Sequence, residues 1–399
     1  MPRLAFAAFL LATLAHAAPE KPPWETWQPP AVTYPQPNAY DTYLKAIELK
    51  KAVDAQHAVR EWPKGEKWFE GPPDLPLAQR VALYAEVLKL LGEAVTQDCR
   101  IPPSKGIGDV NFPFEAYLRE FARLLHMASA ARLEAGDATG AAQVALDGVR
   151  IGQHAATGRT LISYLSGEAC SGIAIAALDE AVPHLDAAGC RATLDRLKHL
   201  IASLPLLSEA FEGEELEAYM TLKAVASAPD GAKEYLEGDV PDEQLAHLSR
   251  TLTRDTWDEL PVYYAALRHW ADLPYWHMPK PPAPKSLLLK MDADNYARLR
   301  YRAAQNQTLL QLRLALVAAR GFEAAEGHLP GSLDALVPGW LPEAPADPFG
   351  DGPLRSRPGR TGLVIYSIGP DGFDNKGTMA GKPARWSEAA PGDIAVRLR

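Results

Sequence analysis

From about residue 41 to residue 273, apolar residues recur every three or four positions, the spacing that gathers them on one face of an α-helix. Asn38 offers an N-cap with Asp41 three residues on, and Tyr40, Tyr43, Leu44 and Ile47 follow at that spacing, which predicts the start of a helix. Leu77 to Thr96 carries Val81, Tyr84, Leu88 and Leu91 on one face, and Phe114 to Glu134 carries Phe114, Leu118, Phe121 and Leu125. Ala135-Gly136-Asp137 stops the second of these, and Asp137 caps a helix running through Ala141, Ala142, Ala145 and Val149. A tight helical hairpin is expected there. Further helices are expected at about Arg159 to Val182, Ala188 to Leu204 and Leu206 to Ser227.

The pattern then changes twice. Residues 274–285 hold Pro279, Pro281, Pro282 and Pro284 and cannot continue a helix, so they read as a linker. A long helix follows, Leu287 to Glu326, with Leu309, Leu312, Leu316 and Ala319 sharing a face. Beyond Gly327 the period becomes strand-like at Leu354 to Arg357 and Leu363 to Ile368, on either side of a Gly359 to Gly362 turn. The expected fold is mainly α, a helical array over residues 41–273 followed by a long helix and a small α+β module over residues 286–399.

Composition sharpens this picture. At 47% hydrophobic and 23% charged residues the chain is globular in type. A net charge of −9 repels phosphate backbones and anionic lipid, so no nucleic-acid partner is expected. The chain has 35 prolines in 399 residues, about 9% against a usual 5%. Seven fall within residues 18–40, with Trp24, Trp27 and Tyr34 between them. This predicts an extended segment whose aromatics pack onto the neighbouring domain, with a recognition site as the alternative.

Residues 1–17 have one charge, Arg3, then an apolar run from Leu4 to Ala15, then Ala15-His16-Ala17, the order of a secretory signal peptide. Export to the periplasm or beyond is therefore expected. The run is shorter than a bilayer span, and no later run approaches 18 residues, so no stable membrane insertion is expected after cleavage. Three cysteines, Cys99, Cys170 and Cys190, leave at least one thiol unpaired. Cys170 and Cys190 are expected at unequal distances from the turn near Pro183 to Asp186, too far apart to pair.

Two resemblances follow from these segments. The string from Ala131 to Leu146 resembles one tetratricopeptide repeat across its turn, but no second copy follows in register, so a divergent helical array of such hairpins is expected. The C-terminal segment resembles the C-terminal domain of type II secretion major pseudopilins. It carries Gly327 to Pro330, the Leu-rich Ser332 to Leu336, Asp347-Pro348-Phe349-Gly350, and Ser367-Ile368-Gly369-Pro370-Asp371-Gly372. That family has a β-hairpin and a calcium-binding loop at the corresponding places. The likeness covers about a quarter of the chain. The prepilin peptide and polymerising helix of that family have no counterpart in Met1 to Ala17, so fibre assembly is not implied. The helical remainder resembles uncharacterised exported bacterial proteins ending in the same module.

Asp371, Asp374 and Asn375 place oxygen donors within five residues of a Gly-bounded loop, which suits a hard cation such as calcium, while the same residues are common formers of a plain turn. The resemblance implies calcium, with Asp371 matching the family's loop acid directly and Asp374 and Asn375 by position. Glu209, Glu212, Glu214, Glu215 and Glu217 crowd one helix and are expected on a solvated face. No HExxH occurs, Ser166-Gly167-Glu168 lacks the strand-turn-helix setting of a nucleophile elbow, and Gly106-Ile107-Gly108-Asp109 lacks a following phosphate-binding helix. The reading is an exported, non-enzymatic protein with a helical surface for a protein partner, linked to type II secretion through its module. The alternative is an envelope hydrolase using acidic residues in a helical groove.

Overall fold

A computed structural model describes residues 22–57, 72, 74–103, 112–227, 242–277, 280–360, 362–378 and 392–398. The signal segment and Gly106 to Asp109 lie outside these residues. Within them are eleven α-helices and one three-stranded antiparallel sheet.

The chain enters through α1 (Pro23–Thr26), a single helical turn inside the segment expected to be extended. Two of the segment's three aromatics pack inward as expected, Trp24 meeting Trp257 edge-on at 6.0 Å and Trp27 stacking on Tyr219 at 5.3 Å, while Tyr34 is exposed. α2 (Ala39–Gln56) is capped by the Asn38 side chain, which accepts from the Tyr40 N–H. The expected Leu77 to Thr96 helix is broken at Tyr84 into α3 (Leu77–Leu83) and α4 (Ala85–Ala94). Tyr84 turns its hydroxyl onto Asp54, and Asp54 and Glu120 hold the buried Lys50 ammonium at 2.8 and 2.9 Å.

α5 (Phe112–Glu134) and α6 (Ala138–Ala156) form the expected hairpin. Gly136 takes a φ of +82° that an L side chain resists, and Asp137 accepts from the Gly140 N–H at 2.8 Å. α7 (Leu161–Ala181) lies against α6 through small residues. A Cβ on Gly167 would stand 2.3 Å from the Gly152 carbonyl oxygen, so only glycine permits this crossing. α7, with the turn Val182–His184, is long and apolar enough by composition to cross a membrane. This corrects the expectation of no such run; in the fold it is a core helix, with 56% of its most apolar window buried.

α8 (Ala187–Ala202) is capped by Asp186, and α9 (Leu207–Ser227) and α10 (Asp242–Asp272) complete the array. α11 (Leu287–Glu326) spans 40 residues, or about 60 Å at 1.5 Å per residue, and ends at Gly327 with φ +76°. One apolar core joins both sides of the Pro-rich segment, from Ala141 to Leu200 on one side and from Leu310 to Leu398 on the other. Arg313 on α11 clamps Asp179 on α7 with two hydrogen bonds of 3.0 and 2.6 Å.

In the sheet, β2 (Leu363–Ser367) is central, fully buried, and paired with β1 (Arg355–Pro358) and β3 (Ile394–Leu398). β3 did not emerge from the sequence pattern. It pairs Leu363 with Leu398 and Ser367 with Ile394, and adds Leu398 to the core beside α11. The three cysteines are free thiols, with Cys170 and Cys190 buried in different cores. Burial pushes those two up to about 12, which makes them poor nucleophiles.

Candidate functional site

A cleft of about 710 Å³ opens where the array meets the C-terminal module. One wall is the α6–α7 crossing, with Gln153, Glu168 and Ser171. The α8–α9 connection adds an apolar strip, Ile201 to Leu207. Tyr275 and Trp276 lie in the turn after α10, Arg300 to Gln307 come from α11, and Ala346 to Gly350 close the far side. Leu206 and Trp276 are exposed large apolar residues at this cleft.

Two ionisable side chains in the cleft are incompletely paired. Glu168 is the first. Its Oε1 is buried without a hydrogen-bond partner, and burial pushes its carboxyl up to about 8, opposed only by the positive charge of Arg302. The group is therefore mostly neutral at pH 7. Burial and the Glu168 charge together push the neighbouring Tyr164 phenol up as well. Arg300 is the second. It is 5% exposed, its Nη2 donates to the Leu273 carbonyl at 2.7 Å and to that of Pro274, and its guanidinium lies over the Trp270 and Tyr275 rings at 5.3 and 5.8 Å. Its Nε is buried with no partner, and burial lowers its pKa. Leaving such a group unpaired costs about 1–3 kcal/mol, so two in one cleft mark a place where stability has been given up.

Gln153 and Asp347, also in the cleft lining, are filled. Gln153 donates to the Leu200 carbonyl at 2.6 Å and accepts from Arg150. Asp347 is 4% exposed and accepts from the Phe349 and Ile368 N–H groups and the Ser367 hydroxyl, at 3.0, 2.9 and 2.6 Å. It ties the 347–350 loop to the end of β2. The resembled Asp-Pro-Phe-Gly and Ser-x-Gly segments are thus joined by a buried carboxylate.

The loop chosen for calcium is filled in the same way. Asp371 accepts from the Phe373 N–H at 3.0 Å, the Gly392 N–H at 2.7 Å and the Asn375 amide at 3.4 Å. Asp374 pairs with Arg355 at 2.5 Å and accepts from the Lys376 N–H, which together hold its carboxyl low. Asn375 directs its NH₂ toward Asp371 and the Phe373 carbonyl. The neighbouring Asp393, 3% exposed, accepts from the Asn375 and Gly377 N–H groups. In this arrangement the carboxylates of the loop serve as acceptors of a hydrogen-bonded turn. Among the described residues no three His, Cys, Asp or Glu side chains gather as a metal site.

The glutamate run on α9 is not a freely solvated face. Glu212 pairs with Arg159 and Glu215 with Arg268, while Glu214 accepts from the Leu161 N–H at 2.7 Å, at the start of α7. Glu217 is pushed up by burial and by the charge of Glu115. Glu115, on α5, accepts from the Ser163 hydroxyl at 2.6 Å, and its Oε2 is buried without a partner. These acids bind α9 to its neighbours because α9 packs on α7 and α10 along this stretch.

Glu168 carries a signal in composition and not in a motif. It is the only charge between Leu161 and Leu178, in an otherwise apolar helix. Arg300 carried none, since Arg298, Arg300 and Arg302 alternate and only the fold decides which is buried. Comparison with protein-family models, curated proteins and solved structures finds no match to this chain.

Proposed function

We propose that this chain is an exported, non-catalytic binding protein whose ligand site is the cleft between α7, α11 and the 347–350 loop. The observation that carries this reading is Glu168, which lines a cleft of ligand size and whose Oε1 is buried without a partner. Acid–base hydrolysis needs a second working group beside it, whereas Asp347 is spent on three donors and Asp272 is exposed. The finer description of the fold belongs to the same proposal: tetratricopeptide-like hairpins in the array, supported by the Gly136 turn, and a pseudopilin-like module, supported by the Gly327 cap and the β1–β2 hairpin. A link to type II secretion rests on that module alone.

The reading is tested by thermal-shift screening of the exported form against small polar metabolites at millimolar concentration. Compounds that raise the melting temperature of the wild type and not of the cleft-filling variant Ala303→Phe are expected. Shifts that survive Ala303→Phe place binding elsewhere. N-terminal sequencing of the exported form should begin near Ala18, and a chain retaining Leu4 to Ala15 overturns the export reading.

A second reading, a hydrolase working with acids between α5, α7 and α9, is favoured by Glu115 and Glu217, both pushed up by burial, with the charge of Glu115 adding to the shift at Glu217 and Ser163 donating to Glu115. Hydrolytic activity abolished by Glu217→Gln would support it.

A further inference from the structure

We propose that the cleft takes a small zwitterion, one ligand bearing both an ammonium and a carboxylate, as in a free amino acid or a short peptide. This rests on the reading of the cleft as the ligand site and adds the ligand's chemistry. Two unpartnered atoms of opposite kind belong to residues lining it: Glu168 Oε1 on α7, an acceptor, and Arg300 Nε on α11, a donor. A purely anionic ligand leaves the first without a partner, and a purely cationic ligand leaves the second. A zwitterion answers both. Asp347 does not compete for the ammonium, because its carboxylate already accepts three hydrogen bonds.

Arg300 is also held ready. The carbonyls of Leu273 and Pro274 fix one edge of its guanidinium, and the rings of Trp270 and Tyr275 flank it, so little side-chain freedom remains to be lost on binding. The strip Ile201, Leu204 and Leu206, with Trp276 beside it, suits an apolar side chain on the ligand. At about 710 Å³ the cleft has room for more than one residue, so peptides and free amino acids are both admitted.

The charge balance sets a pH signature. The free protein holds a proton on Glu168 up to about pH 8, and an ammonium is best met by the ionised carboxylate, so binding releases that proton. Affinity then rises close to tenfold per pH unit between pH 6 and 7.5 and levels off above 8. Tyr164 on its own helix and Arg302 on α11 act on Glu168 directly, and the other charged or titratable groups of the cleft are Asp272 and Tyr275 at the end of α10, Arg300 on α11 and Asp347 on the loop.

Calorimetric titration of the exported form decides the matter, using the twenty amino acids, L-leucyl-L-leucine, and the singly charged leucine analogues isoamylamine and 4-methylpentanoate. The expected result is that leucine or its dipeptide binds at least tenfold tighter than either analogue, and the stronger of the two identifies the source of the zwitterion. Glu168→Gln, which keeps the shape, should lose at least tenfold and flatten the pH slope. Arg300→Lys should weaken zwitterions more than isoamylamine, with its melting temperature checked first. Equal binding of zwitterion and analogues, or none by any amino acid or the dipeptide, overturns the proposal. If the metabolite screen still finds a cleft ligand of another class, the cleft reading stands and the zwitterion alone fails.

Discussion

Acidic side chains are buried in two neighbouring places, and they behave in opposite ways. In the C-terminal module, Asp347 and Asp393 are closed by backbone N–H groups and hydroxyls, and the more exposed Asp371 and Asp374 are also occupied. In the cleft, Glu168 keeps an oxygen with nothing to accept and stays protonated to about pH 8. A carboxylate surrounded by donors is a structural tie, and its loss shows as lost stability. A carboxyl buried without a partner costs stability, and its replacement should show as a gain. The same residue chemistry thus separates a scaffold from a site.

That contrast is broken most easily at Asp347. Asp347→Ala strands three donors and should cost about 4 kcal/mol in thermal or urea unfolding. A loss below about 1 kcal/mol would mean that the module does not depend on this tie. Glu168→Gln should act in the other direction. Because the Glu168 carboxyl is raised in the folded state from an ordinary 4.5 to about 8, its contribution is full below pH 4.5 and is lost as pH rises toward 8. The variant should therefore match the wild type near pH 4.5 and exceed it above pH 8 by on the order of 5 kcal/mol.

His154 is an intermediate case. Its Nδ1 meets the Tyr43 hydroxyl at 2.8 Å while Nε2 is buried without a partner, and burial lowers it from 6.5 to about 3. A lowered folded value means stability that is present above pH 6.5 and is lost as pH falls toward 3. His154→Gln should remove about 2 kcal/mol of the loss seen by pH 5. Between pH 4.5 and 6.5 this loss opposes the Glu168 gain, so the variants separate what a single profile mixes. The smallest effect is expected at the loop. Asp371→Ala should cost about 1 kcal/mol, and millimolar calcium should leave the melting temperature of wild type and variant unchanged. A calcium shift that Asp371→Ala abolishes would support calcium binding at this loop instead.

Helices were readable from the sequence wherever apolar spacing and a cap agreed. Asn38, Asp137 and Gly327 mark their helix ends as expected, and the bounds of α11 match the pattern at both ends. Reading failed where the deciding partner is distant in the chain. The break at Tyr84 faces Asp54, β3 is defined by its pairing across β2, and the α9 glutamates find Arg159 and Arg268 through folding. The loop aspartates were visible as oxygen donors, but the N–H groups that fill them are set by backbone turns, which residue type alone does not reveal. The cleft is built from six separate segments, so only the lone acid in the apolar helix announced it.

The most direct measurement is the titration of Glu168 itself. Carbon NMR of glutamate-labelled protein, with Glu168→Gln assigning the signal, should show a side-chain carboxyl titrating near pH 8 in the free protein. A midpoint near 4.5 would mean that Glu168 is solvated or partnered, and the cleft would lose the feature that makes it a site.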